Sequence, residues 1–318
     1  MEFKDIERLE NELAPVLRPT PLIKSYICDT CNLYIKPENL QYTGSFKVRG
    51  AYNKITHLTE EEKKNGVIAC SAGNHAQGVA LAATEMGIKS IVCMPASAPK
   101  IKINATKKLG AEVVLVDGVY DDAYEKALEL QEQYGYTFVH PFNDEEVIAG
   151  QGTIGLEILK ELPNADAIVC AVGGGGLIAG VAYAAKHINP NIKVYGVESA
   201  GAPSMYASVA NGYVTKLNKA KTFADGIAVK QVGNITYDYV SKYVDDILTV
   251  SDRQILDAIK VLMNGEKLVS EGAGAAPVAA VLNGVVPGIN KDSNVVCVLS
   301  GGNIDVEMLA KIITEGFE

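Results

Sequence analysis

The chain has 318 residues, of which 48% are hydrophobic and 21% charged, and it carries a net charge of −9. This length exceeds one ordinary core, so we expect two domains, and the acidic balance argues against a nucleic-acid partner. No apolar run approaches the roughly 20 residues that a membrane span needs, and the first 15 residues predict an ordinary helix rather than a signal peptide. We therefore expect a cytoplasmic globular protein without a membrane partner.

Short apolar runs alternate with helical patterns along the chain. The first half predicts strands at 33–35, 67–70, 91–94, 111–116 and 137–139, and helices at 48–58, 75–86, 101–109 and 120–134. The second half predicts strands at 167–172, 194–197, 247–250 and 295–299, and helices at 147–162, 177–187, 238–243, 255–267 and 272–282, with a looser region at 199–231 and a last helix after residue 303. Continuous Val/Ile runs between helices predict parallel strands that are covered on both faces, which is an α/β fold.

Lys47 is a candidate nucleophile. Lys47 lies between Phe46 and Val48, at the start of the predicted helix that follows the first strand. An ammonium group there loses hydration, which lowers its pKa and makes the neutral amine a usable nucleophile. For an isolated lysine, the alternative is a methylene chain that only covers apolar surface.

Small and polar residues follow the strand that ends near residue 70. Ser71, Ala72 and Gly73 let a ligand approach the backbone, and the next helix offers free N–H groups to an anion. Asn74 can donate to a phenolate-type oxygen, although Asn74 taken alone also suits a helix N-cap. We interpret His75 as a backbone contributor rather than a base or a metal ligand.

Four glycines connect the strand at 167–172 to the next helix, in the segment Gly173, Gly174, Gly175, Gly176 and Leu177. Successive N–H groups at a helix start form a nest for a phosphate. The spacing of Gly174, Gly176 and Ala179 also fits the dinucleotide fingerprint, and Glu198 ends the next strand where a ribose-binding acid would lie. A nicotinamide-dependent oxidoreductase is therefore an alternative.

Ser300 follows the last predicted strand and precedes two glycines. A hydroxyl at this place can hydrogen-bond a ring nitrogen without protonating it, although Ser-Gly-Gly is also common in turns.

Taken together, these segments resemble the serine/threonine dehydratase family, which are pyridoxal-phosphate (PLP) enzymes of fold type II. Matching stretches run from residues 18–22 (RPTPL) to residues 300–303 (SGGN). The resemblance implies two open, twisted, mostly parallel sheets with helices on both faces, the smaller domain being inserted in the larger. It implies a large PLP-binding domain of residues 1–52 and 144–318 and a small mobile domain of residues 53–143.

The resemblance also implies roles for the residues above. Lys47 matches the lysine that binds PLP covalently, Phe46 packs beside the ring, and Asn74 hydrogen-bonds the 3′ oxygen. Ser300 meets the pyridine nitrogen, and the glycine segment 173–177 holds the phosphate. The substrate carboxylate is received by one loop and bordered by Gly226; the loop residues are Ser71, Ala72, Gly73, Asn74 and His75.

The likeness is greatest to the short catabolic threonine dehydratases, because a single predicted helix after residue 303 leaves no room for a regulatory domain. This implies elimination of water from a small β-hydroxy amino acid, L-threonine or L-serine, giving a 2-oxo acid and ammonia. Serine racemase and hydroxyaspartate dehydratase are alternatives within the family. Its members are commonly dimers or tetramers, so we expect a homo-oligomer.

Two positions bear on the racemase alternative. Racemisation needs a second proton carrier opposite the lysine, and racemases carry a serine where this chain has Ala72. The cation site of the racemases matches Glu198 and Ala202, but Ser204 replaces its aspartate, so we predict no required metal.

Six cysteines are present, and two of them, Cys28 and Cys31, form a C-x-x-C pair. Without a second pair this is a weak zinc signal, and we expect a structural role.

Overall fold

The structure, a computed structural model, describes residues 1–314. Within that range the strands are β1 (Ile23–Lys24), β2 (Asn32–Lys36), β3 (Val67–Cys70), β4 (Ser90–Pro95), β5 (Glu112–Val116), β6 (Thr137–Phe138), β7 (Ala167–Ala171), β8 (Lys193–Ser199), β9 (Asp246–Val250) and β10 (Asn294–Val298). The α-helices are α1 (Phe3–Leu13), α2 (Lys47–Thr56), α3 (Glu60–Asn65), α4 (Asn74–Glu85), α5 (Lys100–Lys108), α6 (Tyr120–Tyr134), α7 (Glu145–Glu161), α8 (Gly176–Ile188), α9 (Ser204–Asn211), α10 (Asn234–Tyr243), α11 (Asp252–Val261), α12 (Gly272–Leu282) and α13 (Val306–Thr314).

The strands form two sheets. The larger has the order β1-β2-β10-β7-β8-β9, and the smaller has the order β5-β4-β3-β6. Among the strand pairs of the described residues, β1 with β2 is antiparallel and the others are parallel. In the centre of the larger sheet, Cys297 lies opposite Ile35 on one side and Val169 on the other. The predicted fold class, α/β with two mostly parallel sheets, is confirmed.

Most predicted elements are present, and the exceptions have local causes. Helix α3 was not predicted, because its sequence has no apolar period; the capping box of Thr59 and Glu62 starts it instead. The looser region contains α9 and a 3₁₀ turn, Asp225–Ile227. The predicted helix at 255–267 ends at Val261 and continues as a π-helical turn, Leu262–Glu266.

Strand β7 shows why the larger sheet is buried on both faces. All five of its residues are buried, and alternate side chains enter two different apolar clusters. Val169 faces the cluster that includes Ala276 of α12, whereas Ile168 faces the cluster that includes Ile178 of α8. Each fully buried Val or Ile stabilises the fold by roughly 1.5–3 kcal/mol.

A close helix crossing fixes the position of α2. A Cβ atom at Gly50 would lie 2.6 Å from the Val147 carbonyl oxygen of α7, and one at Gly150 would lie 2.6 Å from the Arg49 carbonyl oxygen. Side chains at these two positions would force the helices apart. The crossing therefore sets the start of α2, which carries Lys47, relative to the larger sheet.

The smaller sheet is built from residues 67–138, and chain segments on both sides of it contribute to the larger sheet. The domain boundaries 1–52 with 144–318, and 53–143, stay predictions, and residues 315–318 lie outside the described residues. In the described part of the chain, none of the helices combines the length and the apolarity that crossing a bilayer requires.

Candidate active site

Lys47 is the first residue of α2, and the two residues before it are tied to the carboxyl end of β10. Ser45 forms an isolated antiparallel bridge with Gly301, and the Phe46 N–H donates to the Ser300 carbonyl oxygen over 3.1 Å. The sequence places these segments more than 250 residues apart. The backbone contacts therefore bring Lys47 and Ser300, two predicted site residues, to one place.

The amine of Lys47 has a neutral partner. Its Nζ donates to the Pro141 carbonyl oxygen over 2.7 Å and lies 5.2 Å from the centre of the Phe46 ring. Desolvation lowers the pKa of Lys47 to about 8, and the charge of Glu271 opposes this effect. The amine of Lys47 therefore loses its proton more readily than that of an exposed lysine.

Asn74 lies next to a buried carboxylate that the sequence analysis missed. Asn74 Nδ2 donates to Glu271 Oε1 over 2.7 Å, and Asn303 Nδ2 donates to Asn74 Oδ1 over 2.7 Å. Burial and the nearby charge of Asp225 raise the pKa of Glu271 to about 7. The N-cap of α4 is Gly73 and Asn74 is the first helical residue, so the N-cap alternative for Asn74 was wrong.

A sequence signal for Glu271 exists. It is the single acid in the small-residue stretch 270–276, directly before the buried helix α12. An acid flanked by glycine and alanine on a buried element has few reasons to be there other than a polar partner in the fold. That partner is distant in sequence, so the signal indicates a buried carboxylate without identifying its contact.

The glycine loop leaves backbone donors free. Gly175 has φ +95° and is the N-cap of α8, and the first bond of the helix runs from the Ala179 N–H to the Gly175 carbonyl oxygen. The N–H groups before Ala179 therefore have no partner within the helix. A Cβ at Gly174 would lie 2.2 Å from the Phe142 ring, and one at Gly175 would lie 2.7 Å from Met205 Cε. Packing by other residues is thus the physical reason for glycine here.

Gly226 connects the glycine loop to the carboxylate. A Cβ at Gly173 would lie 3.0 Å from the Gly226 carbonyl oxygen, and one at Gly226 would lie 3.4 Å from Glu271 Oε1. A Cβ at Gly301 would lie 2.7 Å from the same Glu271 atom. The residues predicted from three strand ends and the Gly226 region therefore surround one location.

The loop before α4 carries one hydroxyl, that of Ser71, and one imidazole, that of His75. His75 Nε2 lies 2.8 Å from the Val139 carbonyl oxygen, and burial together with the charge of Lys47 lowers the pKa of His75 to about 3. The Ser71 hydroxyl accepts the Gly73 N–H over 3.2 Å, and Ala72 packs against an apolar cluster. His75 is therefore neutral and hydrogen-bonded to the backbone, and its role as a backbone contributor stays a prediction.

The Glu198 side chain forms hydrogen bonds with backbone N–H groups. Its carboxylate accepts the N–H groups of Met205 and Tyr206, each over 2.8 Å, and burial raises its pKa to about 7. Within residues 1–314 no group of three or more His, Cys, Asp or Glu side chains is placed to hold a metal ion. The carboxylate therefore stabilises the start of α9, whatever other role its position suggests.

Comparison with known proteins gives consistent matches. A family model described as pyridoxal-phosphate dependent enzyme matches residues 13–301. The chain is similar to L-threonine ammonia-lyase of Thermotoga maritima, with 52% identity over 99% of this chain and 78% of that protein. It is also similar in structure to the processed form of threonine deaminase isoform 2 from Solanum lycopersicum, with a TM-score of 0.92 and 40% identity over 98% of this chain and 92% of the other. Maize serine racemase gives a TM-score of 0.93 and 35% identity over 98% of this chain and 96% of the other.

Proposed function

The chain belongs to the family of pyridoxal-phosphate-dependent enzymes, and from this premise we propose that it eliminates water from L-threonine and L-serine. The products are a 2-oxo acid and ammonia. One observation carries the choice of reaction: a desolvated lysine amine lies at the site, while Ala72, at the position where racemases carry a serine, has only a methyl group. The higher identity to a threonine ammonia-lyase than to a serine racemase points the same way. The family match gives no support to the nicotinamide-dependent alternative.

The residues at the site fit PLP. The unbonded N–H groups at the start of α8 suit a phosphate dianion. The amine of Lys47 suits the aldehyde carbon, and the Asn74 amide suits the 3′ oxygen. Ser45 Oγ and His75 Nδ1 are buried without a hydrogen-bond partner, which indicates polar capacity that the protein alone does not use. Lys47, Asn74, the glycine loop and Ser300 would hold the cofactor, with Phe46 beside it.

PLP supplies an electrophilic carbonyl carbon and a ring that disperses negative charge from the substrate Cα. The protein supplies the base and the orientation. Lys47, once its amine is free, removes the Cα proton, and the Pro141 carbonyl oxygen holds Nζ in place before that. Glu271 accepts from Asn74 Nδ2 and Asn303 donates to Asn74 Oδ1, so the two residues fix the orientation of the Asn74 amide. Ser300 carries a hydroxyl that does not act as an acid at neutral pH.

We also propose that residues 53–143 move against residues 1–52 and 144–314 when the substrate binds. An ion pair supports this proposal, because Lys102 of α5 reaches Asp225, next to Gly226, over 2.5 Å. It connects the part of the chain with the smaller sheet to the rim of the site. In Lys102→Met we expect a raised KM for L-threonine with a smaller change in kcat, since the open form gains population. An unchanged KM together with a lowered kcat would contradict it.

The proposed function is tested with a panel of L-threonine, L-serine, D-serine and hydroxyaspartate. We expect 2-oxobutyrate from L-threonine and pyruvate from L-serine, with little product from the other two. Borohydride reduction and peptide mapping should place the pyridoxyl group on Lys47. A modified lysine other than Lys47 would contradict the site.

Chiral analysis of serine during turnover separates elimination from racemisation. We expect little D-serine from the unmodified enzyme, because Ala72 has no proton to transfer. Ala72→Ser adds a hydroxyl and should raise the inversion rate, and Ala72→Val is the matched control without one. General acid–base help is worth roughly 10²–10⁴-fold, so a gain is measurable above a low background. D-serine formed by the unmodified enzyme as fast as pyruvate would establish the racemase instead.

A further inference from the structure

Two cysteines lie outside the proposed reaction, in the loop of residues 25–31 between β1 and β2. The Sγ atoms of Cys28 and Cys31 are 3.7 Å apart. Cys28 is partly exposed, whereas Cys31 is 6% exposed. The remaining four cysteines of the chain are fully buried in strands: Cys70, Cys93, Cys170 and Cys297. The pair thus differs from the others both in mutual contact and in access to solvent.

We propose that Cys28 and Cys31 form a thiol–disulfide exchange site, in which Cys28 attacks a small-molecule disulfide such as oxidised glutathione and Cys31 completes the exchange. The Cys28 thiolate bonds to one sulfur of the reagent and displaces the other as a thiolate. In the mixed disulfide Cys28 no longer carries the charge that raises the pKa of Cys31. Cys31 loses its proton to the released thiolate, and its own thiolate attacks Cys28 Sγ and displaces the second reagent sulfur as a thiolate, which takes up the proton that Cys28 lost at the start. Two protein thiols are oxidised to one disulfide, and one reagent disulfide is reduced to two thiols.

The surroundings assign the attacking role to Cys28. Its Sγ lies 3.2 Å from Thr30 Oγ1. Burial alone raises the pKa of the Cys28 thiol, but hydrogen bonds from Thr30 and Cys31 outweigh burial and lower the pKa below its usual value. Burial and the neighbouring Cys28 raise the pKa of Cys31 to about 12. The thiolate attacks in thiol–disulfide exchange, so the partly exposed Cys28 reacts first and the buried Cys31 follows.

The loop holds the two thiols together while it leaves one side open. Ser25 Oγ donates to Glu266 Oε1 over 2.5 Å, and Ile27 packs so closely on Gly265 that a Cβ there would lie 2.4 Å from Ile27 Cγ2. Tyr26, in contrast, is 83% exposed. A disulfide needs an S–S distance of about 2.05 Å, so thiols that already touch close the bond with a small local shift.

The test treats the full-length, PLP-loaded enzyme with mixtures of reduced and oxidised glutathione, followed by alkylation, unfolding, intact-mass measurement and peptide mapping. We expect one Cys28–Cys31 disulfide and four cysteines that remain thiols. Cys31→Ser should accumulate the glutathione adduct on Cys28, whereas Cys28→Ser should leave Cys31 unmodified. In these single variants Cys28 should react at least about tenfold faster than Cys31 with a disulfide reagent. The same enzyme in urea is the control, in which all six cysteines react.

Three results would overturn the proposal. One is a pair that stays reduced in the folded enzyme under conditions that oxidise it in urea. Another is modification spread equally over the buried cysteines, and the third is an adduct on Cys31 in Cys28→Ser with none on Cys28 in Cys31→Ser. Circular dichroism of both variants confirms that they fold. Since the readouts are masses, they are independent of whether L-threonine is the substrate.

Discussion

Lys47 and Arg49 lie on the first turn of the same helix, yet the protein surrounds the two cations in opposite ways. Arg49 is 1% exposed, and its guanidinium donates to Glu38 over 2.8 Å and to Glu157 over 2.6 and 2.9 Å. Burial alone lowers the pKa of Arg49, but the charges of Glu38 and Glu157 outweigh it and raise the pKa above its usual value. Arg49 is therefore a permanently charged structural group.

Among residues 1–314 Lys47 has no such ion pair: its Nζ donates to the uncharged carbonyl oxygen of Pro141, and its pKa falls to about 8. The difference lies in the partner. Carboxylates keep a buried cation charged, whereas a neutral acceptor in a desolvated setting lets the amine lose its proton. A lysine amine with a lowered pKa can therefore lie close to a buried ion-pair network, provided that the carboxylates of the network contact the arginine and not the lysine.

The largest expected effect is that of removing the amine. Lys47→Ala should lower the turnover of L-threonine by at least about 10⁴-fold, because both the covalent attachment and the base are lost. The free energy of unfolding should change little or rise, since a poorly solvated amine is removed. Assays of 2-oxobutyrate release measure the turnover, and urea unfolding measures the free energy of unfolding. Turnover within tenfold of the parent enzyme would show that Lys47 is not the base.

Removing the guanidinium of Arg49 should mainly lower stability, whereas removing the Lys47 amine mainly lowers turnover. Arg49→Met leaves the buried carboxylate of Glu38 without a cation and leaves Glu157 paired with Lys36 alone, so the free energy of unfolding should fall by about 3–5 kcal/mol. Arg49→Lys keeps the positive charge but loses the bidentate hydrogen bonds of the guanidinium. Its free energy of unfolding should therefore lie between those of the parent and Arg49→Met. Urea unfolding monitored by circular dichroism measures both variants. A loss below about 1 kcal/mol in Arg49→Met would mean that the network does not depend on the guanidinium.

The third prediction concerns pH and Glu271. Its pKa in the folded protein is about 7, above its ordinary value of 4.5, so its contribution to stability is complete below pH 4.5 and is lost as the pH rises through 7. Relative to Glu271→Gln, the free energy of unfolding of the parent should therefore fall by about 3 kcal/mol over this window. Urea unfolding of both proteins at pH 4.5, 6 and 7.5 gives the difference. A pH-independent difference would contradict the raised pKa.

The smallest expected effect concerns the protonation of Lys47. The neutral amine attacks the aldehyde, so the rate of PLP binding to the PLP-free protein should fall roughly tenfold for each pH unit below about 8. In Glu271→Gln the drop should begin at a lower pH, because a negative charge that raises the pKa of Lys47 is gone. Stopped-flow absorbance follows the binding, and Glu146→Gln, at an exposed residue of α7, is the matched control. Identical profiles in parent and Glu271→Gln would remove Glu271 as an influence on Lys47.

Much of the site was predictable from the sequence because its signals are local. Lys47 at the start of α2, the four glycines after β7 and Ser300 after β10 are each recognised within a few residues. The strand before Lys47 is not adjacent to it, because β2 ends at Lys36 and two 3₁₀ turns lie between them. Since β7 and β10 are parallel neighbours in one sheet, their carboxyl ends bring the glycines and Ser300 to the same edge. Their packing reasons were not local: Phe142 and Met205 occupy the space beside the glycines, and neither could be assigned to the loop from its spacing.

The sequence by itself determined the alternation of strands and helices, the catalytic lysine proposed here and the phosphate-type loop, since short-range pattern and backbone freedom encode all three. Only the tertiary structure decided the charges. Glu271 reaches Asn74 across 197 residues of sequence, and Arg49 reaches Glu157 across 108. Whether a buried group keeps its proton depends on such distant partners and on the water they exclude. Neither can be predicted from the residues next to it in the sequence.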